Sequence, residues 1–373
     1  MKRILTLIFI LLSVAMFSFQ ASAEDGEWEQ VVDSFGLDEL EEAAPEDIVS
    51  FMKELDLSPD SAESLQKHSL GTILLEYAKE WIDSALLPRQ FLRWLLGLCV
   101  LAFVFRALSS SKNGWIGESS NLLMILLCGL WIMAPINDLF LEISETISSA
   151  VVYINAFVPI FAGLLTASGY PTLAGSYSTV LIGYSSVFSA IQQSVLVPAC
   201  RMLLALAVCF PLAGISVAPV EGIRKLLVSL LSVLSGVLTG IVGLQTKLSS
   251  VSDNLVTKTA KTAVSTFVPI VGSTLAESLN VVLGSLDLAR SSVGIYTVIT
   301  MTLLFVSPLA KLLCWQIALW MGKACFEAVG EKSIVTMLGS VSSLLTVLIG
   351  VLLSSGLLIL LTMLMVMSVG RGT

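Results

Sequence analysis

Apolar residues occur at two densities along this chain, and the change falls near residue 85. Between residues 24 and 84, Leu37, Leu40, Ile48, Phe51, Met52, Leu55 and Leu57 are separated by charged and small polar residues. Many of the gaps are of three and four residues, which put side chains on one face of an α-helix. Ser58-Pro59-Asp60-Ser61 reads as a helix stop followed by a capped restart. Ile73, Leu74, Tyr77, Trp81 and Ile82 form a further stripe, predicted to lie at a membrane surface. The segment is short for an independent core. A small helical domain and a partly ordered linker are both compatible with it.

Beyond residue 85 the apolar runs lengthen to the size of membrane spans. Residues 91–108 form the first and 121–141 the second, the latter ending in Asp138, Glu142 and Glu145. After residue 147 the runs are interrupted by Pro, Gly and Ser, giving segments at 151–168, 177–197, 200–219, 226–246, 263–283, 293–319 and 336–368. Allowing for the short and polar ones, the pattern predicts about seven transmembrane helices. Two segments carry the tetrapeptide Phe-Val-Pro-Ile and are expected to be re-entrant or to lie against the bundle.

Composition supports the membrane reading. Hydrophobic residues make up 55% of the 373, charged residues 13%, and the mean hydropathy is +0.91. Soluble domains are nearer a quarter charged. At the start, Lys2 and Arg3 precede an apolar run at 4–19 and the small-residue site Ala21-Ser22-Ala23. That is the layout of a signal peptide spanning residues 1–23; an uncleaved anchor is the competing reading. Either way, the residues that follow begin outside the cytoplasm.

Charge divides the chain again. Residues 24–84 carry 18 acidic side chains against Lys53, Lys67 and Lys79, whereas 85–373 carry 10 acidic and 15 basic ones. The net charge of −8 thus resides in one extracytoplasmic segment, which will not be drawn to nucleic acid or to anionic lipid. Positive-inside counting beyond it conflicts, because Arg224 and Lys225 are one span away from Lys247, Lys258 and Lys261. The six cysteines lie in apolar segments without a Cys-x-x-Cys pair and read as buried thiols.

The repeated tetrapeptide, at 157–160 and 267–270, suggests a duplication with an offset of 110 residues. The same offset sets Pro159 on Pro269, Pro198 on Pro308, Arg201 on Lys311, Glu221 on Glu331 and Gly240 on Gly350. The predicted division is 85–146 for two spans, 147–256 for a first repeat and 257–373 for a second. In "PACR" and "PLAK" a cation follows a proline by three residues, on one helical face. A cation at membrane depth faces a cavity, a partner or a carboxylate, or snorkels to the interface. Those alternatives remain open for Arg201 and Lys311, and the same ambiguity holds for Asn155, Glu277 and Asp287.

Catalytic constellations are missing. The single histidine, His68, lies in the acidic segment, so neither a Ser–His pair in the membrane nor an H-E-x-x-H metal site can form. No phosphate-binding G-x-x-x-x-G-K-[ST] loop occurs. A non-enzymatic protein without cofactor or metal is expected. Small-residue runs such as "SLLSVLSGVLTGIVG" at 229–243 fit a tight bundle or a homo-oligomer equally well.

The stretches "TKTAKTAVSTFVPIVGSTLAESLNVVLGS" (257–285), "SVGIYTVITMTLLFVSPLAKLL" (292–313) and "FVPIFAGLLTASG" (157–169) resemble the stage III sporulation protein AE family of endospore-forming bacteria. The resemblance covers most of the chain from about residue 90 and is weak before it. The matching positions are Thr259, Ala260, Lys261, Phe267, Pro269, Gly272, Gly294, Pro308 and Lys311. Where the family has a glycine-rich stretch, this chain has "VGEKS" at 329–333. The resemblance implies a multi-pass protein of the mother-cell membrane around the forespore, acting with other membrane and extracytoplasmic subunits of a sporulation complex. It implies a channel or feeding apparatus related to specialised secretion systems, and no catalytic residue. A stand-alone permease for a small solute is the alternative suggested by the repeat. A membrane anchor for the acidic segment is the third reading.

Overall fold

The computed structural model describes residues 38–55, 57, 72–73, 76–77, 93–94, 96–104, 114–237, 240 and 272–368. Every regular element among them is helical. Two short helices, α1 (Asp38–Glu42) and α2 (Glu46–Glu54), precede the long ones. These are α3 (Gly114–Ala167), α4 (Pro171–Ile191), α5 (Val197–Leu212), α6 (218–237), α7 (Gly272–Val329) and α8 (Lys332–Ser368).

Four helical stretches among the described residues are long and apolar enough to cross a membrane: Leu122–Ala167, Pro171–Leu212, Ser292–Val329 and Lys332–Leu357. The segments expected to be separate have fused. The predicted runs at 121–141 and 151–168 are one helix, α3, and the first Phe-Val-Pro-Ile lies inside it instead of forming a re-entrant turn. Pro135, Pro159, Pro211 and Pro308 all sit within helices. Each removes one backbone hydrogen bond to the carbonyl four residues earlier. For Pro159 that carbonyl belongs to Asn155, and both residues are exposed, so the freed group is on the outer face of α3 and not in the core. Pro198 is handled differently. A π-helical turn, Gln192–Leu196, precedes it, and the N–H of Val197 reaches back five residues to the Gln192 carbonyl. The wider turn joins α4 to α5 without a break.

The true breaks are at glycines. Gly169, Gly214 and Gly330 have φ of 89°, 67° and 86°. In each case the next N–H bonds the carbonyl five residues back: Tyr170 to Leu165, Ile215 to Phe210 and Glu331 to Phe326. This is the Schellman termination, whose left-handed position favours glycine. Helix boundaries do not follow the 110-residue offset. The turns at Gly169 and Gly214 would fall on 279 and 324, both inside α7, and the π turn would fall on 302–306, also inside it.

Helix α7 is the interior element. Its described part buries Val293, Tyr296, Met301, Leu303, Leu312, Trp315 and Phe326. Helix α3 runs antiparallel beside it, since Tyr153 meets Thr297 while Glu142 meets Lys311. Helix α5 approaches α3 closely at Gly129, where an added Cβ would lie 2.5 Å from Val208 Cγ1. A belt of exposed large apolar side chains surrounds one part of the bundle. It includes Leu122, Leu126, Leu130 and Trp131 on α3, Leu226 and Val233 on α6, and Ile317, Trp320 and Met321 on α7.

The described part of the acidic segment packs on the bundle. Leu40, Ile48, Phe51 and Met52 are buried, and the Thr300 hydroxyl of α7 donates to Met52 Sδ at 3.4 Å. Ile73 and Tyr77, expected at a lipid surface, are buried with them, and the Tyr77 ring lies 4.9 Å from that of Phe51. Protein contacts satisfy this stripe, which removes its reason to lie on lipid. Leu74, Trp81 and Ile82 lie outside the described residues. Not all thiols are buried either: Cys128 and Cys200 are, whereas Cys209 is exposed on α5.

Candidate functional site

Polar side chains inside an apolar bundle seek one another, because no water is present to satisfy them. The described residues show several such meetings. Lys311 Nζ donates to Glu142 Oε1 at 2.7 Å, and the two side chains keep 29% and 27% of their surface exposed. Two residues away on α3, the Phe140 ring receives Arg201, whose guanidinium carbon is 5.9 Å from the ring centroid. A cation over an aromatic face at this range is attracted by the ring quadrupole. The two cations singled out in the sequence therefore converge on one turn of α3 from two different helices. Their surroundings differ. Lys311 is neutralised by a carboxylate, whereas Arg201 Nε is buried without a hydrogen-bond partner among the described residues.

One helical turn and more away, at the π turn, fully buried Gln192 bridges to α8. Its amide nitrogen donates to Ser355 Oγ at 2.7 Å and to the Val351 carbonyl at 3.2 Å, and the Ser355 hydroxyl lies 3.0 Å from Gln192 Oε1. Gln316 on α7 similarly donates to Ser342 Oγ on α8 at 2.8 Å. Tyr153 and Thr297 join α3 to α7 at 3.4 Å. Phe157 and Phe161 stack at 5.0 Å and both lie against Tyr177 of α4, so the first Phe-Val-Pro-Ile supplies core packing.

The remaining sequence candidates are distributed, not clustered. Pro159 and Pro198 are exposed, Pro308 and Gly294 are buried in α7, and Gly272 is the first residue of α7. Lys261 and Pro269 lie outside the described residues. Glu142 was visible in the sequence only as an acid at a span end, and Gln192 and Ser355 were not singled out. The signal for Gln192 was present in "QQSVLVP", an amide in an apolar run six residues before a proline.

A stack of membrane-length helices tied internally by amide, hydroxyl and charge pairs defines a polytopic helical membrane protein. The chain belongs to the stage III sporulation protein AE family, whose family model matches residues 60–370. Among curated proteins it is similar to the stage III sporulation protein AE of Bacillus subtilis (strain 168), with 20% identity over 286 residues, 75% of this chain and 72% of the relative. No solved structure matches.

Proposed function

We propose that this chain is a non-enzymatic membrane subunit of a multi-protein transenvelope channel, or secretion-like complex, that joins mother cell and forespore during sporulation. Family membership supports the sporulation role. The observation that carries the subunit reading is the seating of the acidic helices on the bundle through Met52 and Thr300. A docked acidic surface on the extracytoplasmic side offers other subunits a fixed platform, which a tethered linker would not.

The orientation follows from charge. Arg224, Lys225, Lys323 and Lys332 cluster near the Gly214 and Gly330 turns, while Met52 contacts α7 thirty residues before Gly330. That separation is about 45 Å along a helix. The basic end is therefore cytoplasmic and the acidic end extracytoplasmic. The partners are the other membrane and extracytoplasmic subunits of the same complex, with the lipid bilayer around the belt.

The permease alternative rested on a repeated unit, and neither the helix boundaries nor the settings of Arg201 and Lys311 recur at that offset. Mild-detergent purification from sporulating cells tests the proposal. Co-purification of membrane and extracytoplasmic partners is expected. Recovery of the chain alone and monomeric would overturn it.

A further inference from the structure

We propose that the seam between α6 and α8 is a water-filled crevice that admits small anions from the basic end of the bundle. An added Cβ on Gly356 would lie 3.1 Å from the Phe305 ring, and one on Gly339 would lie 3.8 Å from Lys323 Nζ. Helix α8 thus runs antiparallel to α7, with Gly350 level with Lys311. Gly129 of α3, which meets Val208, stands thirteen residues before Glu142, so α5 ends and α6 begins near the end of α7. Leu231 of α6 then packs on Gly350, its Cδ2 3.7 Å from an added Cβ. Helix α6 therefore runs parallel to α8. Seven residues earlier on each helix, about two turns, stand Arg224 and Ser343.

Between Met337 and Gly356 every residue of α8 is buried except Gly339, Ser342, Ser343, Thr346, Gly350 and Ser354, which share one side of the helix. The stretch Lys332–Leu357 is apolar enough to cross a membrane, yet this side carries no large apolar residue. Small residues let helices approach closely. Here α6 leaves them half-buried, so it does not close the seam. Polar groups fill the same space. Gln316 Nε2 donates to Ser342 Oγ at 2.8 Å and to Thr346 Oγ1 at 3.5 Å, while Gln316 Oε1 and Arg224 Nε are enclosed without a hydrogen-bond partner. Water meets enclosed polar atoms of this kind. Arg224 and Lys323 form no ion pair among the described residues with Glu221, Glu327 or Glu331, the carboxylates of that end. Two uncompensated cations between apolar walls raise the local concentration of anions.

The experiment uses the full-length chain, its native cysteines replaced, in lipid nanodiscs with both faces open to water. Ser343→Cys and Thr346→Cys are compared with Val233→Cys, a position 62% exposed on the outer side of α6. Water-soluble thiol reagents of negative and of positive charge are applied separately, each rate being taken relative to that on a small free thiol. A dry apolar setting raises a thiol's pKa by a unit or more, so the seam positions should react about tenfold or more faster than Val233→Cys. The anionic reagent should outpace the cationic one at both, and adding Arg224→Gln should remove that preference. Seam cysteines that react no faster than Val233→Cys would overturn the proposal. So would a cationic reagent that reacts as fast as the anionic one, which would mean hydration without anion selection. Should the variants fail to fold, hydroxyl-radical footprinting is applied to the parent chain in nanodiscs. Oxidation of Leu227 and Leu231, on the inner side of α6, with Leu226 and Val233 spared supports the crevice, and unmodified Leu227 and Leu231 overturn it.

Discussion

Lys311 and Glu142 are 169 positions apart in sequence and 2.7 Å apart in space, and they fasten the interior helix α7 to α3. Removing one partner leaves the other charged at a level where water is scarce, so single substitutions should be worse than the double one. Glu142→Gln and Lys311→Met are each expected to destabilise the protein, and the double variant should recover part of the loss. A coupling energy of about 0.5–1.5 kcal/mol is expected from thermal unfolding of the four proteins in detergent. Additive losses would show that the pair contributes no coupling.

Gly129 permits the contact between α3 and α5. A methyl group there would meet Val208 Cγ1, and the packed neighbour must give way. Gly129→Ala should cost about 1–3 kcal/mol. Adding Val208→Ala should restore much of it, because the shorter side chain vacates the space. A fully tolerated Gly129→Ala would mean that the helices separate easily at this point.

The amide bridge at the π turn makes an asymmetric prediction. Ser355→Ala strips Gln192 of a buried partner, an expected loss of about 1–2 kcal/mol. Gln192→Leu together with Ser355→Ala removes both polar groups and should lie nearer the parent. Melting temperatures of the three proteins decide the matter.

Seating of the acidic helices can be weakened at Met52, which is 1% exposed. Met52→Ala should cost roughly 2 kcal/mol or more, localised to the docking of α1 and α2. Limited proteolysis should then cut the chain within residues 38–57 faster than in the parent, with the long helices left intact. Unchanged proteolysis would place the seating contacts elsewhere.

Much of the architecture was legible from local chemistry. The helical stripe Leu40, Ile48, Phe51, Met52 is the face that α1 and α2 bury. The run predicted at 151–168 does stop where Gly169 ends α3, whereas the run predicted to end at 319 continues as helix to Val329, before Gly330. Arg201 and Lys311 were selected by their spacing from proline, and both have interhelical contacts. Pro159 misled, because a lost backbone bond on the outer face of a long packed helix is tolerated where the same residue in isolation suggests a break; Pro308, buried within α7, does not break its helix either. Neither the partner of Lys311 nor that of Gln192 could be read, since each lies more than 150 residues away and a side-chain pair leaves no periodic trace. The charge conflict between Arg224 and Lys225 on one side and Lys247, Lys258 and Lys261 on the other is untouched, because the last three lie outside the described residues.

Helix α7, the most enclosed of the bundle, leaves the ribosome after helices α3 to α6. Helices α3 to α6 are therefore inserted with an empty slot between them, and they wait for a segment that begins at Gly272. Until it arrives, Tyr153 and Glu142 face a gap where Thr297 and Lys311 will sit. Biogenesis of this protein thus has a built-in delay, during which chaperones and quality-control proteases have access to an unfinished core.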